Sequence, residues 1–297
     1  MTSQLNARPA DRLMVLAAAL LFSSGGAVVK LCSLTGWQVA CLRSAIAALA
    51  LLVLLPDAWR GWSWRTVPVG FAYGATMICF VIASKLTTSA NAVFLQSAAP
   101  LYVLMLGPIL LAEPIRRRDV LFMAALVVGM VLIFGGHQPQ LRTAPDPGLG
   151  NAVGAACGIF WSLTIIGLRW LARSATGTRG NPAAAATVLG NVVAAAVAAP
   201  LAFPIRHATS GDWVAVAFLG VFQIAVAYVF LIRGMRRVRA LEVSLLVLLE
   251  PVLNPLWTWL VHDELPTTGA SVGGAIIIFA TAVYTVHSTS RSPEPGG

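Results

Sequence analysis

The chain is short of charge. Asp, Glu, Lys and Arg make up only 10% of its 297 residues, whereas 58% of the residues are hydrophobic. A soluble domain averages about 25% charged residues, so this chain has too few to cover a globule in water. Its apolar residues lie in long runs separated by short polar breaks, which is the pattern of a polytopic membrane protein. The sequence therefore predicts an all-α membrane protein rather than a soluble domain.

Cysteine and histidine are also sparse. The four cysteines lie in or beside apolar runs and form no CxxC pair, so we interpret them as small hydrophobic side chains: Cys32, Cys41, Cys79 and Cys157. The four histidines are scattered over loops and helix ends. Metal-dependent and transferase chemistry needs clustered ligands or carboxylates. We therefore expect no metal site, no cofactor and no catalytic residue, and a membrane-embedded enzyme is a distant alternative.

Apolar windows of about 20 residues predict ten transmembrane helices. Their approximate ranges are 13–30, 36–55, 67–85, 90–112, 119–136, 150–170, 182–203, 212–232, 240–261 and 269–287. The connections between these ranges are short. The sequence therefore predicts one compact membrane domain without a soluble appendage.

The basic residues are unevenly divided between alternate loops. Fifteen lie on the side that holds both termini: Arg8, Arg12, Arg60, Arg65, Arg116, Arg117, Arg118, Arg169, Arg173, Arg179, Arg233, Arg236, Arg237, Arg239 and Arg291. Four lie on the other side: Lys30, Lys85, Arg142 and Arg206. Since positive loops stay inside, we expect both termini to be cytoplasmic. The net charge of +9 is then a topology signal, and the expected partner is the lipid bilayer, not nucleic acid.

The two halves of the sequence resemble each other. A shift of 151 positions aligns Pro100 with Pro251 and Glu113 with Glu264, within SANAVFLQSAAPLYVLMLGPILLAEP and RALEVSLLVLLEPVLNPLWTWLVHDEL. We predict two five-helix repeats, over 12–136 and 150–287. Because five is odd, the second repeat enters the membrane inverted. Inverted repeats build secondary transporters whose substrate site lies near mid-membrane between the repeats.

These segments carry a resemblance to a known family. Together with FSSGGAVVK (22–30), which aligns with WSLTIIGLR (161–169), and the arginine of ACLRSAIAAL (40–49), they resemble EamA-type members of the drug/metabolite transporter superfamily. Among these the chain is most similar to bacterial exporters of aromatic and other amino acids. The resemblance implies a ten-helix, multi-pass protein of the bacterial inner membrane with two inverted repeats. It also implies export of small amphipathic metabolites, amino acids included, by alternating access through a central cavity.

Other aspects of function follow from the same analysis. Efflux of lipophilic cations or drugs is the alternative within transport, and Glu250 would then be the charge partner of the cargo. Because one chain would hold both repeats, we expect a monomer to be sufficient.

Two charges lie within predicted spans. Glu250 either couples transport to a cation or binds a substrate amine, or it bonds backbone groups freed by Pro251 and Pro255. Arg43 either binds a substrate carboxylate, or clamps helix-end groups, or extends outward to the membrane surface. Sequence alone leaves these roles open.

The cavity should be lined by aromatic and polar side chains deep in their spans. The candidate substrate-binding residues are Tyr73, Met77, Gln96, Tyr102, Trp161, Ser162, Gln223 and Tyr228, of which Tyr73, Gln96 and Trp161 lie well inside their spans. Tyr73 and Met77 are four residues apart and share a helix face. Lys30 is expected to snorkel from a helix end to the surface, and Glu264 to be a helix-terminal structural group.

Overall fold

A computed structural model describes residues 9–110, 117–135, 140–174, 180–235 and 246–289. Within these ranges the chain is helical and has no β-strand beyond one isolated bridge between Leu141 and Ala144. The helices are α1 (Pro9–Ser23), α2 (Gly25–Leu31), α3 (Gly36–Leu54), α4 (Thr66–Leu86), α5 (Ser89–Ser97), α6 (Ala99–Leu110), α7 (Arg117–Gly135), α8 (Pro147–Ser174), α9 (Pro182–Ala202), α10 (Ser210–Phe218), α11 (Ala227–Met235), α12 (Leu249–His262) and α13 (Thr268–Thr289). A 3₁₀ turn covers Pro56–Arg60, and a π-helical segment, Leu219–Val226, joins α10 to α11.

Seven helical stretches are long and apolar enough to cross a membrane. They are Pro9–Leu31, Gly36–Leu54, Thr66–Leu86, Ser89–Leu106, Pro147–Leu168, Pro182–Ala202 and Ser210–Gly234. The predicted all-α polytopic class is thus confirmed. Three further helices, α7, α12 and α13, lie at the positions of the fifth, ninth and tenth predicted spans, and the count of ten stays a prediction.

Side-chain caps fix where several helices begin. Thr35 and Gln38 form a capping box at α3, in which each side chain bonds the other's backbone N–H, and Thr209 and Asp212 repeat this arrangement at α10. Asn181 caps α9 by accepting from the N–H of Ala184. Such caps satisfy donors that the first helical turn leaves without a partner, and they mark the ends of the spans.

The repeated prolines coincide with breaks in their helices. The chain turns at Ala98 between α5 and α6, two residues before Pro100, and it turns at Leu248 just before α12 and Pro251. Proline lacks an N–H and its ring crowds the carbonyl four residues earlier, so a helix breaks on its N-terminal side. The proline that recurs in sequence therefore produces a similar break in both halves.

Helices of the first half (residues 9–135) interleave with helices of the second half (residues 140–289). Helix α4 packs on α8 and α9, α3 on α9, α1 on α11 and α12, and α7 on α13. Glycine allows close approach at these contacts, since a Cβ on Gly190 would lie 2.5 Å from Cδ1 of Tyr73. The interior is consequently lined by residues from both halves.

Candidate functional site

Arg43 lies at the centre of this interior, on the buried face of α3. Its residue surface is 1% exposed, so it does not extend to the membrane surface. Nη2 donates to the carbonyl oxygen of Met77 at 3.0 Å, and the guanidinium carbon lies 5.7 Å from the ring centroid of Phe80. In the described part of the chain, Nε and Nη1 have no hydrogen-bond partner. The site therefore contains a buried cation with two free donor nitrogens.

Three aromatic rings form a group beside Arg43. Tyr228 packs edge-on against Tyr73 with ring centroids 5.7 Å apart, and against Phe22 at 5.4 Å. Both tyrosines lie near Arg43. No hydrogen bond of normal geometry reaches the Tyr73 hydroxyl from the described residues, although Tyr228 and Asn191 lie beside it. We call Phe22, Arg43, Tyr73, Phe80 and Tyr228 the Arg43 group.

Cys157 on α8 connects this group to Gln96. Its sulfur lies 3.3 Å from Oε1 of Gln96 and 3.5 Å from the carbonyl oxygen of Thr76. Cys157 also lies near Arg43 and near Glu250.

Glu250 lies in the first turn of α12 and is half-buried. It lies near Tyr228 and Cys157, both of which also lie near Arg43. Within the described ranges, no hydrogen bond or ion pair joins its carboxylate to another residue, so no described backbone group freed by Pro251 or Pro255 bonds it here. Arg43 and Glu250 thus approach the same two side chains without pairing with each other.

The predicted site residues divide into two sets. Tyr73, Met77 and Tyr228 contact Arg43 or its aromatic neighbours, and Gln96 and Glu250 reach the same region through Cys157. No described contact joins the others to the Arg43 group: Gln223 packs on Gly25, Tyr102 packs near Gly158, next to Cys157, and Ser162 donates to the carbonyl of Ile159 in its own helix. Trp161 is half-buried and forms no ring pair with the described aromatics.

A second polar cluster lies at the bundle end that the charge distribution assigns to the outside. Lys30 Nζ lies 2.8 Å from Oε2 of Glu264, and both side chains are 1% exposed. Nζ also donates to the carbonyl oxygens of Thr87, at 2.9 Å, and Thr143. Oε1 of Glu264 accepts from the N–H of Ser89 at 2.7 Å. We call these five residues the Lys30 cluster.

The expectation that Lys30 snorkels to the surface is therefore wrong. The side chain turns inward because Glu264 and two carbonyl oxygens bind its ammonium group. Without these partners the ammonium group would have to be hydrated by water at the surface. The cluster joins the end of α2, the start of α5, the segment before α8 and the residues after α12. It connects the two halves at this end of the bundle.

Further polar contacts reinforce this connection. Ser89 Oγ donates to Oδ1 of Asn254 at 2.6 Å, and Trp257 Nε1 donates to Oγ of Ser23 at 2.9 Å. A ring nitrogen of His262 lies 2.9 Å from the carbonyl oxygen of Ala27. Helix α12 is thereby tied to α1, α2 and α5 along its length.

Sequence reasoning missed Phe80, Cys157 and the Lys30–Glu264 pair. Helical spacing could have found Phe80, since it lies three residues after Met77 and seven after Tyr73, on one face of α4. Nothing in the sequence signals the ion pair, because 234 positions separate its members.

Comparison with known proteins agrees with this architecture. The EamA-like transporter family matches the chain twice, over residues 12–135 and 148–286. The aromatic amino acid exporter YddG of Ancylobacter novellus is 25% identical over 268 residues, which cover 90% of this chain and 86% of that protein. The pseudopaline exporter CntI of Pseudomonas aeruginosa is 25% identical over 276 residues, which cover 90% of this chain and 93% of that protein.

Structural comparison supports the same fold. A solved crystal structure superposes with a TM-score of 0.62 at 21% identity and covers 96% of this chain and 100% of its own. With its apolar helices and exporter relatives, the protein is a multi-pass protein of the bacterial inner membrane. The two matches together span most of the sequence, and the chain belongs to the EamA-like transporter family.

Proposed function

We propose that the protein is a secondary transporter that exports small amphipathic metabolites, including aromatic and other amino acids. The observation that carries this proposal is the Arg43 group, in which a buried cation with free donors lies beside aromatic rings contributed by both halves. Aromatic rings can pack against an apolar or aromatic side chain of the substrate, and the polar groups can hydrogen-bond the charged end of an amino acid. Two relatives are exporters of aromatic amino acids and of pseudopaline, which agrees with a small organic cargo.

The proposed mechanism is alternating access between two inverted five-helix repeats, with ten spans and both termini cytoplasmic. The Arg43 group lies between the halves, so a rocking motion of one half against the other would change which side reaches it. The Lys30 cluster is consistent with this mechanism because it joins both halves at the end predicted to face outside. Opening toward the outside would require the Lys30–Glu264 pair to separate.

The proposal involves no covalent step, cofactor or metal. One chain supplies both halves of the site, so a monomer is sufficient.

Efflux of lipophilic cations is the second candidate function. Glu250 favours it, because its half-buried carboxylate has no described partner and would attract a cation. Arg43 opposes it, because a second cation near an unpaired guanidinium is repelled. We rank amino acid export first because Arg43 is the more deeply buried of the two charges.

Flux from proteoliposomes tests the proposal. Vesicles are loaded with radiolabelled phenylalanine, tryptophan or leucine, and release is measured with and without an imposed pH gradient, against protein-free vesicles. The proposal expects saturable release that unlabelled amino acids inhibit more strongly than tetraphenylphosphonium does. If the organic cation is transported and no amino acid is, cation efflux replaces amino acid export as the proposed function. A gradient response that is unchanged in Glu250→Gln removes a coupling role for that carboxylate.

A further inference from the structure

The connection between α3 and α4 exposes three tryptophans at the bundle end that the charge distribution assigns to the cytoplasm. Trp59, Trp62 and Trp64 are 63%, 45% and 72% exposed. Helix α3 ends at Leu54 and α4 begins at Thr66, so all three lie at a membrane boundary rather than within a span. Tryptophan is enriched at this depth because its ring is apolar while its indole N–H can hydrogen-bond polar groups. Their exposure therefore fits the headgroup layer of the bilayer.

Arg65 lies over two tryptophan rings at this boundary. Its guanidinium carbon lies 5.6 Å from the ring centroid of Trp64 and 5.5 Å from that of Trp170, and the two rings meet edge-on at 5.7 Å. The side chain is half-buried, and among the described residues it forms no ion pair or hydrogen bond. Ring contacts attract the positive charge but occupy none of the five N–H donors of a guanidinium. We call Trp64, Arg65 and Trp170 the Arg65 site.

Close packing of α4 against α8 brings the Arg65 site together. A Cβ on Gly167 would lie 2.6 Å from Cγ2 of Val69, so the two helices approach each other closely at this point. Val69 follows Arg65 by four positions and Trp170 follows Gly167 by three, so each pair shares one helix face. The site therefore lies about one turn from a tight contact between the two halves of the chain.

The connection that carries the tryptophans is also held in place. The N–H of Asn181 donates to the carbonyl oxygen of Asp57 at 3.1 Å, and a Cβ on Gly61 would lie 2.3 Å from the carbonyl oxygen of Asn181. Just before α4, the Thr66 hydroxyl donates to the carbonyl oxygen of Ser63 at 2.6 Å. Because these contacts already order the backbone, a ligand at the Arg65 site would bind with little further ordering cost.

The charge around the Arg65 site is complementary to an anion. Residues 55–65 contain Arg60 and Arg65 but only one acid, Asp57. Asp57 and Arg60 are both exposed, and Asp57 forms no described ion pair with either arginine. A guanidinium presents paired N–H groups that match two oxygens of a phosphate. Phosphate is also the group that lipids place at the depth of these tryptophans.

Exposed tryptophans at the opposite end of the bundle provide a contrast. Trp213 and Trp259 are exposed there as well, and no described arginine lies over either ring. Tryptophan alone thus indicates a membrane boundary, whereas the Arg65 site adds a cation held at that depth.

We propose that the Arg65 site binds the phosphate of an anionic phospholipid from the leaflet on its side of the membrane. The phosphate oxygens accept from the guanidinium N–H groups, and the indoles of Trp64 and Trp170 border the glycerol part of the lipid. A zwitterionic lipid binds less well, because its own ammonium is repelled by Arg65. Since Trp170 belongs to the second half of the chain and Arg65 to the first, the lipid contacts both halves. This site is separate from the Arg43 group and does not depend on which molecule is transported.

Native mass spectrometry of the full chain in detergent micelles tests the proposal. The protein is titrated with phosphatidylglycerol or phosphatidylethanolamine of identical acyl chains, and the unaltered chain should bind phosphatidylglycerol more tightly. Arg65→Gln should weaken phosphatidylglycerol about fivefold, the loss expected for one basic residue at an anionic membrane surface, and leave phosphatidylethanolamine unchanged. Arg206→Gln is the matched control, since it removes an exposed arginine from the opposite end of the bundle. It should change neither affinity.

Three outcomes would overturn the proposal. The first is equal affinity of the unaltered chain for the two lipids. The second is an equal loss in Arg65→Gln and Arg206→Gln, which would show a response to net charge alone. The third is displacement of phosphatidylglycerol by an equal concentration of glycerol 3-phosphate, which would make the site one for a soluble anion rather than for a lipid.

Two further variants keep the test decisive if Arg65→Gln does not fold. Trp64→Leu replaces a largely exposed ring with another apolar side chain, and it should lower the preference for phosphatidylglycerol because Arg65 loses one of its two rings. Arg65→Lys keeps the charge but loses the planar fork, so its affinity for phosphatidylglycerol should fall between those of the unaltered chain and Arg65→Gln. Full preference in both variants would contradict the proposal, because neither the rings nor the guanidinium would then select the lipid.

Discussion

Lys30 and Glu264 form a buried ion pair that joins the first half of the chain to the second, with Nζ and Oε2 2.8 Å apart. Removing one partner from such a pair leaves the other charge buried without compensation. This is more costly than removing both, and breaking a buried pair destabilises a protein by about 3–5 kcal/mol. The pair is therefore a sensitive point for both stability and the opening of the bundle.

We expect Lys30→Met and Glu264→Gln each to lower the unfolding temperature and to increase labelling of a cysteine placed near this end, because the closed arrangement loses its contact. The double variant Lys30→Met/Glu264→Gln should recover part of the stability, since no charge is left unpaired. Thermal unfolding in detergent and maleimide labelling measure the two effects. Additive losses in the double variant would show that the two residues do not stabilise each other.

The ring of Tyr73 should contribute much more to the stability of the protein than its hydroxyl does. We expect Tyr73→Phe to change stability by less than about 1 kcal/mol, because no described hydrogen bond of normal geometry is lost. Tyr73→Ala should cost about 3–5 kcal/mol through the cavity it leaves. Denaturant titration followed by tryptophan fluorescence measures both. A large loss of stability in Tyr73→Phe would show that the hydroxyl makes a stabilising hydrogen bond.

Gly190 should not tolerate a side chain. A Cβ there would lie 2.5 Å from Cδ1 of Tyr73 and 2.8 Å from the carbonyl oxygen of Gly70. We expect Gly190→Ala to destabilise the protein by about 1–3 kcal/mol, because α4 and α9 must move apart. Gly135→Ala is the control, since a Cβ at that position meets no atom within 4 Å. Equal stability of the two variants would mean that the helix contact relaxes freely.

Asp212 should stabilise the loop that precedes α3. Its carboxylate accepts from the N–H and hydroxyl of Ser33, at 2.6 and 2.7 Å, and also from the N–H and hydroxyl of Thr209. Asp212→Ala removes a helix cap and this loop contact together, and we expect a loss of about 1–3 kcal/mol. Asp212→Asn should lose less, because its amide oxygen can still accept. Thermal unfolding of the two variants compares these losses.

Much of the fold followed from simple features of the sequence. Scarcity of charge indicated the membrane, and the recurring Pro100 and Pro251 marked two helix breaks correctly. Within the candidate site, Tyr73 and Met77 share a face of α4, as their spacing indicated, and this face lies beside Arg43. Such features depend on the period of a helix or on the chemistry of one residue.

Other features depend on the orientation of each helix about its axis and on which helices it packs against. Helix α8 is apolar around most of its circumference, so sequence did not show that Cys157 faces the Arg43 group while Ser162 bonds its own backbone. The ammonium group of a lysine at a helix end can be stabilised either by hydration at the surface or by a buried acidic side chain. Only the folded chain shows that Glu264 is close enough to favour the second.

The interleaving of the two halves also bears on biosynthesis. Arg43 enters the membrane early, whereas Cys157 and Tyr228, which border it in the folded protein, are synthesised much later. Since chains emerge from the N-terminus and domains fold as they are completed, the first half must wait in the bilayer with this arginine covered only by partners such as Met77 and Phe80. We expect its final position to be set only after the second half has inserted, so the two halves mature as one unit.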